Sequence, residues 1–324
     1  MGLDMNKEIK MGKANLEVFS ETLQQIAETN KELLVVTSDS RGSGKLVPFA
    51  QRFPRQLVEV GIAEQNLVGI SAGLASTGKQ VFAVSPACFL TARSLEQIKN
   101  DVAYSDNPVT LVGISAGVSY GALGSTHHSL HDYAALRAIH NMVVCAPADN
   151  VETREAVQQA AASDHPVYIR FGKRPMPILR EDVPFTFGKG RVLREGKDMA
   201  ILATGETVHP AMDAAAMLQE SEGLEAMVVS MHTVKPLDTT LLTELGKKGM
   251  PILTVEEHSV NGGLGEACAA FLLQGRHHNA FHIMGIPDEY TVTGSQQYIF
   301  DHYGIHGAGI ATAALELLNA AEKA

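Results

Sequence analysis

The sequence lacks the marks of several protein classes, and each absence narrows what it can be. No apolar run approaches the roughly 20 residues that a bilayer-spanning helix needs, so no membrane partner is expected. Cysteine is scarce. Cys88, Cys145 and Cys268 lie far apart, with no C-x-x-C pair and no His/Cys cluster at zinc spacing, and read as three thiols in a reducing cytoplasm. There is no excess of basic charge: 26 Lys and Arg face 36 Asp and Glu, a net charge of −10. A nucleic-acid partner needs a basic face to neutralise phosphate, so none is expected. No Gly-rich loop ends in the Lys-Ser/Thr pair of a nucleotide-phosphate cradle. The opening stretch MGLDMNKEIKMGK is polar and lacks the apolar core of a signal peptide. A cytoplasmic protein is the natural expectation.

What is present is a regular α/β rhythm over 324 residues, room enough for two α/β domains of about 130–190 residues each. The apolar runs at 33–37, 80–84, 109–114, 142–146 and 167–171 predict buried strands, and helix-period segments at 16–29, 63–76, 94–104, 132–139 and 151–162 fall between them. Continuous apolar strands separated by helices point to a doubly wound, mostly parallel sheet, with sites outside the carboxyl ends of its strands. The stretch 172–197 breaks the rhythm with three prolines and many charges, and Phe185/Phe187 there suggest a short edge strand. Beyond it, strands at 199–203, 226–230, 252–256 and 281–284 and helices at 210–219, 239–245 and 264–273 predict a second, smaller α/β domain.

Three segments carry more than rhythm. They are VEVGIAEQNLVGISAGLA (58–75), GVSYGALGSTHHSLHD (117–132) and, preceded by HTVKP, LDTTLLTELGKKGMPILTVEEHSVNGGLGEACAAFL (237–272). Together they resemble the transketolase family, which also takes in deoxyxylulose-phosphate synthase and the beta subunits of 2-oxo-acid dehydrogenases. The resemblance runs from Asn15 to Leu318. It implies a thiamine-diphosphate-binding pyrimidine-type (Pyr) domain over 10–175, a linker over 176–197 and a transketolase C-terminal domain over 198–324.

The resemblance also implies roles for single residues. Glu64 corresponds to a glutamate that faces N1′ of the cofactor's aminopyrimidine. A hydrogen bond there favours the imino form of the 4′-amino group, which then takes the proton from the cofactor's reactive carbon. The plain alternative is a glutamate in a first helical turn, favoured by the helix dipole. Thr126-His127 matches a family Thr-His, with His128 where glutamine is usual. His127 is implied to donate to the substrate carbonyl or to move protons among hydroxyls, chemistry an imidazole can perform near neutrality. His127, His128 and His131 could instead bind a metal, but no carboxylate or cysteine is spaced to complete a site, and no metal of the chain's own is expected. Phe89 is implied to stack on the pyrimidine, and Asp39 to lie near the cofactor. Arg41, Ser43 and Arg170 are implied to bind the substrate phosphate, Arg170 through the planar fork that suits it. Turn chemistry competes for TSDSRGSG (37–44) and an ordinary salt bridge competes for Arg170. Leu123 stands where common transketolases carry an acidic residue against the donor's hydroxyl, which makes an unusual or branched sugar phosphate plausible. Gly263-Leu264-Gly265 lacks the third glycine and the acidic residue of a dinucleotide loop, and reads as a turn opening a helix at a subunit contact.

One family motif is missing. The G-D-G, followed later by an asparagine, that holds Mg²⁺ and the diphosphate occurs nowhere in the chain. The resemblance therefore implies an N-terminal transketolase subunit as partner, carrying that motif and the Mg²⁺, in a heterotetramer, with this chain forming a dimer when alone. The implied activity is transfer of a two-carbon glycolaldehyde unit between sugar phosphates. Two alternatives stay open. A 2-oxo-acid dehydrogenase beta subunit is disfavoured by the Gly-Ser-Thr-His loop, and a non-catalytic scaffold by the presence of Glu64 and His127.

Overall fold

The computed structural model describes residues 10–321; most of the polar opening stretch, 1–9, lies outside them. In chain order the elements of the first half are β1 (Met11–Ala14), α1 (Asn15–Thr29), β2 (Leu33–Thr37), α2 (Val47–Arg52), β3 (Leu57–Glu59), α3 (Glu64–Ala75), β4 (Gln80–Pro86), α4 (Ala87–Arg93), α5 (Leu95–Gln97), β5 (Val109–Ile114), α6 (Asp132–Arg137), β6 (Val143–Cys145), α7 (Asn150–Ala161), β7 (Val167–Phe171) and β8 (Pro175–Pro177). The second half runs β9 (Arg191–Arg194), β10 (Met199–Ala203), α8 (Val208–Glu222), β11 (Ala226–Ser230), β12 (Thr233–Lys235), α9 (Thr239–Lys248), β13 (Ile252–Ser259), α10 (Leu264–Gln274), β14 (Phe281–Ile286), α11 (Gln296–His302) and α12 (Gly307–Ala321).

Mostly apolar strands can be covered on both faces, and β5, β7, β10 and β11 are buried along their whole length, β7 with Arg170 among its residues. Three helices start where a side chain accepts a free backbone amide. Asp149 accepts the amide of Glu152 to open α7, Asp238 that of Leu241 to open α9, and Ser295 that of Tyr298 to open α11.

Among the described residues there are two main sheets. The first has seven strands in the order β12-β6-β7-β5-β4-β2-β3, and the second five in the order β14-β13-β10-β11-β9. Both are parallel except at one edge, where β12 and β9 run antiparallel to their neighbours. Two details depart from expectation. The edge strand expected near Phe185/Phe187 lies instead at β9, inside the stretch read as linker. And β12, which belongs by sequence to the second half, pairs with β6 of the first sheet. One apolar cluster likewise crosses the boundary, joining Leu67, Val109 and Tyr133 to Met231, Leu242 and Leu264. The two halves share a core.

Arg170 lies at the seam between them, 5% exposed at the end of β7. Its Nη1 donates to both oxygens of Asp132 on α6, at 2.8 and 3.2 Å, and its Nη2 donates to the backbone carbonyl of Glu257 on β13 at 2.7 Å. The guanidinium lies 4.3 Å from the centre of the Tyr133 ring, and Tyr168 donates to Asp132 at 2.7 Å. The sequence reading has Arg170 as a phosphate ligand; in this structure its guanidinium instead faces Asp132 and Glu257. Its guanidinium is committed on both sides, and a phosphate would have to displace a buried carboxylate.

Beside it, the Nε2 of Gln296 donates to both Glu206 and Glu257, at 2.9 and 2.8 Å, and Glu257 also accepts the amide of Val118 at 2.9 Å. The backbone approaches closely here. A side chain on Gly117, whose φ is +59°, would overlap the Glu257 carboxyl. Burial pushes the Glu206 carboxyl up, and burial together with Glu206 pushes Glu257 up to about 7.

Two outcomes follow from the seam. Arg170→Ala leaves Asp132 buried without its counter-charge and is expected to cost about 3–5 kcal/mol, read from urea unfolding. For Glu257, a raised folded value means that stability is fully present below the ordinary value of 4.5 and is lost as pH rises through about 7. Glu257→Gln mimics the neutral acid. It is expected to match the wild type at pH 4.5 and to be more stable at pH 8 by on the order of 2–3 kcal/mol, in the same assay.

Candidate active site

A parallel sheet delivers the loops that follow its strands to one edge. Here that edge receives the loop 38–46 after β2, the start of α3 after β3, helix α4 after β4 and the loop 115–131 after β5. The sequence-predicted residues other than Arg170 all lie on these four segments. Asp39 and Ser115, at the ends of β2 and β5, both take left-handed backbone, with φ of 52° and 53°.

Glu64 opens α3 and is 2% exposed. Its carboxylate accepts a hydrogen bond from Nη1 of Arg93 at 2.6 Å. Arg93 ends α4, and its guanidinium carbon lies 4.6 Å from the centre of the Phe89 ring, one helical turn earlier. The ring of Phe89 meets that of His127 edge-on at 5.3 Å, and His127 meets Tyr120 edge-on at 5.6 Å. Thr126 Oγ1 lies 3.0 Å from Nδ1 of His127. On the far side of Tyr120, the ammonium of Lys173 lies 4.2 Å from the ring centre. Partial burial, then the charge of Lys45, holds that ammonium below its usual value. Glu64, Phe89 and His127 are thus joined in one chain of contacts that passes through Arg93. A cleft of about 360 Å³ opens beside this chain, lined by Cys88, Phe89, Arg93, Ser125, Thr126 and His131 among others. Burial pushes the Cys88 thiol up to about 11, so it is no nucleophile at neutral pH.

The loop that carries His127 is held from the other half of the chain. Thr291 Oγ1 lies 2.6 Å from Nδ1 of buried His128 and 3.0 Å from Ser125 Oγ, while Nε2 of His128 lies 3.0 Å from the carbonyl of Gly121. A carbonyl only accepts, so Nε2 carries the proton and Nδ1 accepts from the threonine hydroxyl. Burial holds His128 below its ordinary value, in keeping with a neutral ring. Gly121, with φ +47°, lies so close to the carbonyl of Gly294 that no larger residue fits.

The loop 38–46 is organised separately. Glu59 accepts the amides of Asp39 (2.6 Å) and Gly61 (3.1 Å) and lies 3.5 Å from Nε of Arg41, while Ser43 donates to the carbonyl of Ser40 at 3.3 Å. No contact joins Asp39, Arg41 or Ser43 to the Glu64 group among the described residues. The three histidines diverge: His127 faces two aromatic rings, His128 faces Thr291, and His131 lies 3.3 Å from Thr91. Among the described residues, no three His, Cys, Asp or Glu side chains converge on a metal position.

Sequence reasoning missed Arg93, Tyr120, Lys173 and Thr291. Only Arg93 left a readable signal, four residues after Phe89 on a helix. Thr291→Val keeps the shape and removes the hydroxyl, stranding Nδ1 of His128. It is expected to cost about 1–3 kcal/mol in urea unfolding, with Thr291→Ser restoring most of the loss.

The pyrimidine-binding-domain model of transketolase matches residues 12–177, and the transketolase C-terminal-domain model matches 188–310. An apulose-4-phosphate transketolase subunit of Phocaeicola vulgatus is 46% identical over 302 residues, covering 93% of this chain and 96% of its own length. A putative transketolase C-terminal section of Methanocaldococcus jannaschii is 37% identical, covering 92% and 94%. A solved structure described as split gene transketolase, inactive beta4 tetramer, superposes with a TM-score of 0.85 at 35% identity, covering 95% of this chain and 99% of that one.

Proposed function

Because this chain belongs to the transketolase family, we propose that it is the C-terminal subunit of a split transketolase, which uses thiamine diphosphate to transfer a two-carbon glycolaldehyde unit between sugar phosphates. The observation that carries this reading is a buried carboxyl, Glu64, set at a helix start and joined through Arg93 to the aromatic face of Phe89 on the wall of an open cleft. That set fits the aminopyrimidine end of the cofactor: a carboxyl to share a proton with a ring nitrogen, and Phe89 for the ring to stack on. When bound, thiamine diphosphate supplies the carbanion that breaks and remakes the bond next to a ketose carbonyl. Glu64 holds N1′ and governs its proton. Phe89 fixes the plane of the ring. His127, steadied by Thr126 and two ring edges, hydrogen-bonds the substrate carbonyl or a neighbouring hydroxyl.

The substrate phosphate is assigned to the cationic rim rather than to Arg170. Lys173 and Lys45 lie near enough for one charge to depress the other, and Arg41 and Ser43 occupy the same loop as Lys45. Asp39 remains a cofactor contact from that loop. Leu123, 54% exposed at the edge of the His127 loop, leaves the donor's usual hydroxyl contact without a carboxylate. A branched donor such as the apulose phosphate for which the Phocaeicola relative is named is consistent with that change. The diphosphate and its Mg²⁺ are assigned to an N-terminal partner subunit, in keeping with relatives of the same length that are themselves called subunits or sections.

The test uses the complex of both subunits with thiamine diphosphate and a ketose phosphate. Glu64→Gln is expected to lower turnover by roughly a hundredfold or more while circular dichroism and melting remain those of the wild type. Wild-type turnover in this variant would remove Glu64 from the mechanism.

A further inference from the structure

The partner that Glu64 holds in this chain shares the chemistry of the group it is proposed to bind. A guanidinium is planar and cationic, and it donates N–H bonds in its plane while presenting a flat face. Arg93 uses both features: it donates to Glu64 at 2.6 Å and lies over Phe89 at 4.6 Å. A protonated aminopyrimidine would make the same two contacts, a ring N–H to the carboxyl and a face on the aromatic ring. The two occupants cannot share them.

We infer that Arg93 is a placeholder for the aminopyrimidine, occupying its carboxyl and its stacking surface until the cofactor displaces it into solvent. This rests on the reading of Glu64 given above. The surroundings support departure in one direction only. The Arg93 side chain is 47% exposed at the end of a helix and its only side-chain hydrogen bond among the described residues is to Glu64, whose own exposure is 2%. Arg93 can leave for water; Glu64 cannot follow. Other charges do not replace it. Helix α3 packs against β2, β4 and β5, which bring no titratable side chain, and against α4, which brings Cys88 and Arg93. It also packs against α5 and the turns after it, where Glu96, Lys99, Asp101 and Tyr104 are exposed and make no ion pair with Glu64. His131, on the cleft wall, is turned to Thr91.

Arg93 is a positioning residue that acts through Glu64, and its departure sets part of the free energy of cofactor binding.

Calorimetric titration of the two-subunit complex with thiamine diphosphate and Mg²⁺ reads this directly. Arg93→Gln, which removes the competing cation, is expected to bind the cofactor about tenfold tighter than the wild type. Arg93→Lys, which keeps the charge, should bind as the wild type does. Equal affinity in wild type and Arg93→Gln would overturn the proposal. So would weaker binding by Arg93→Gln, since Arg93 would then serve the bound cofactor rather than stand in its place. Glu64→Gln separates the two readings: if it binds and turns over as the wild type does, the assignment of Glu64 fails. If it is impaired while Arg93→Gln is unchanged, only the placeholder fails.

Discussion

An arginine enclosed between the two halves of the chain sets the geometry of everything around it. Arg170 ties β7 to Asp132 on α6 and to the backbone of β13. Both ionic partners are buried, so the pair cannot be opened without leaving a charge in a low-dielectric interior. What it holds in place is more than a domain contact. With β13 fixed, the carboxyl of Glu257 reaches the amide of Val118 at the root of the His127 loop. The segment around Thr291 then closes on the outer part of the same loop. A residue of the candidate site is thus positioned by side chains more than 160 residues further along the chain.

Three buried acids in this protein are accommodated in different ways. Asp132 is paired with Arg170, which is locked beside it. Glu257 crowds against Glu206 and is pushed toward the neutral form. Glu64 is paired like Asp132, but its partner stands with nearly half its side chain in water. The chemistry of the two arginine pairs is the same, and access separates them. Exposure of 5% keeps Arg170 enclosed beside its partner; exposure of 47% leaves Arg93 free to exchange.

The parts legible in the sequence were those written in contiguous residues. The strands at 33–37, 109–114, 167–171 and 199–203 coincide with β2, β5, β7 and β10 because an unbroken apolar run has few other places to go. Short strands with mixed polarity, such as β3 and β12, carry no such pattern and take their structure from the neighbour they pair with. The same division runs through the site. Glu64, His127 and Phe89 were singled out from local motifs and fall in one chain of contacts, whereas the partners of Arg170 had no local signal. A single arginine near the end of a β-strand looks alike whether it faces solvent or a buried aspartate. Its partners lie 38 residues before it and 87 after it, and no local pattern encodes that distance.

Occupancy of Glu64 by an internal cation bears on why two polypeptides would share one cofactor. A free aminopyrimidine arriving at this chain alone would have to break an ion pair in exchange for one hydrogen bond and one stacked ring, each worth about 1 kcal/mol or a little more. That exchange is close to balanced and leaves the arginine in place. A second chain that grips the diphosphate changes the arithmetic, because the pyrimidine then meets Glu64 as a tethered group at an effective concentration that reaches millimolar for a short link. On this argument the placeholder keeps the buried carboxyl satisfied while the chain is alone and yields only when the other end of the coenzyme is anchored.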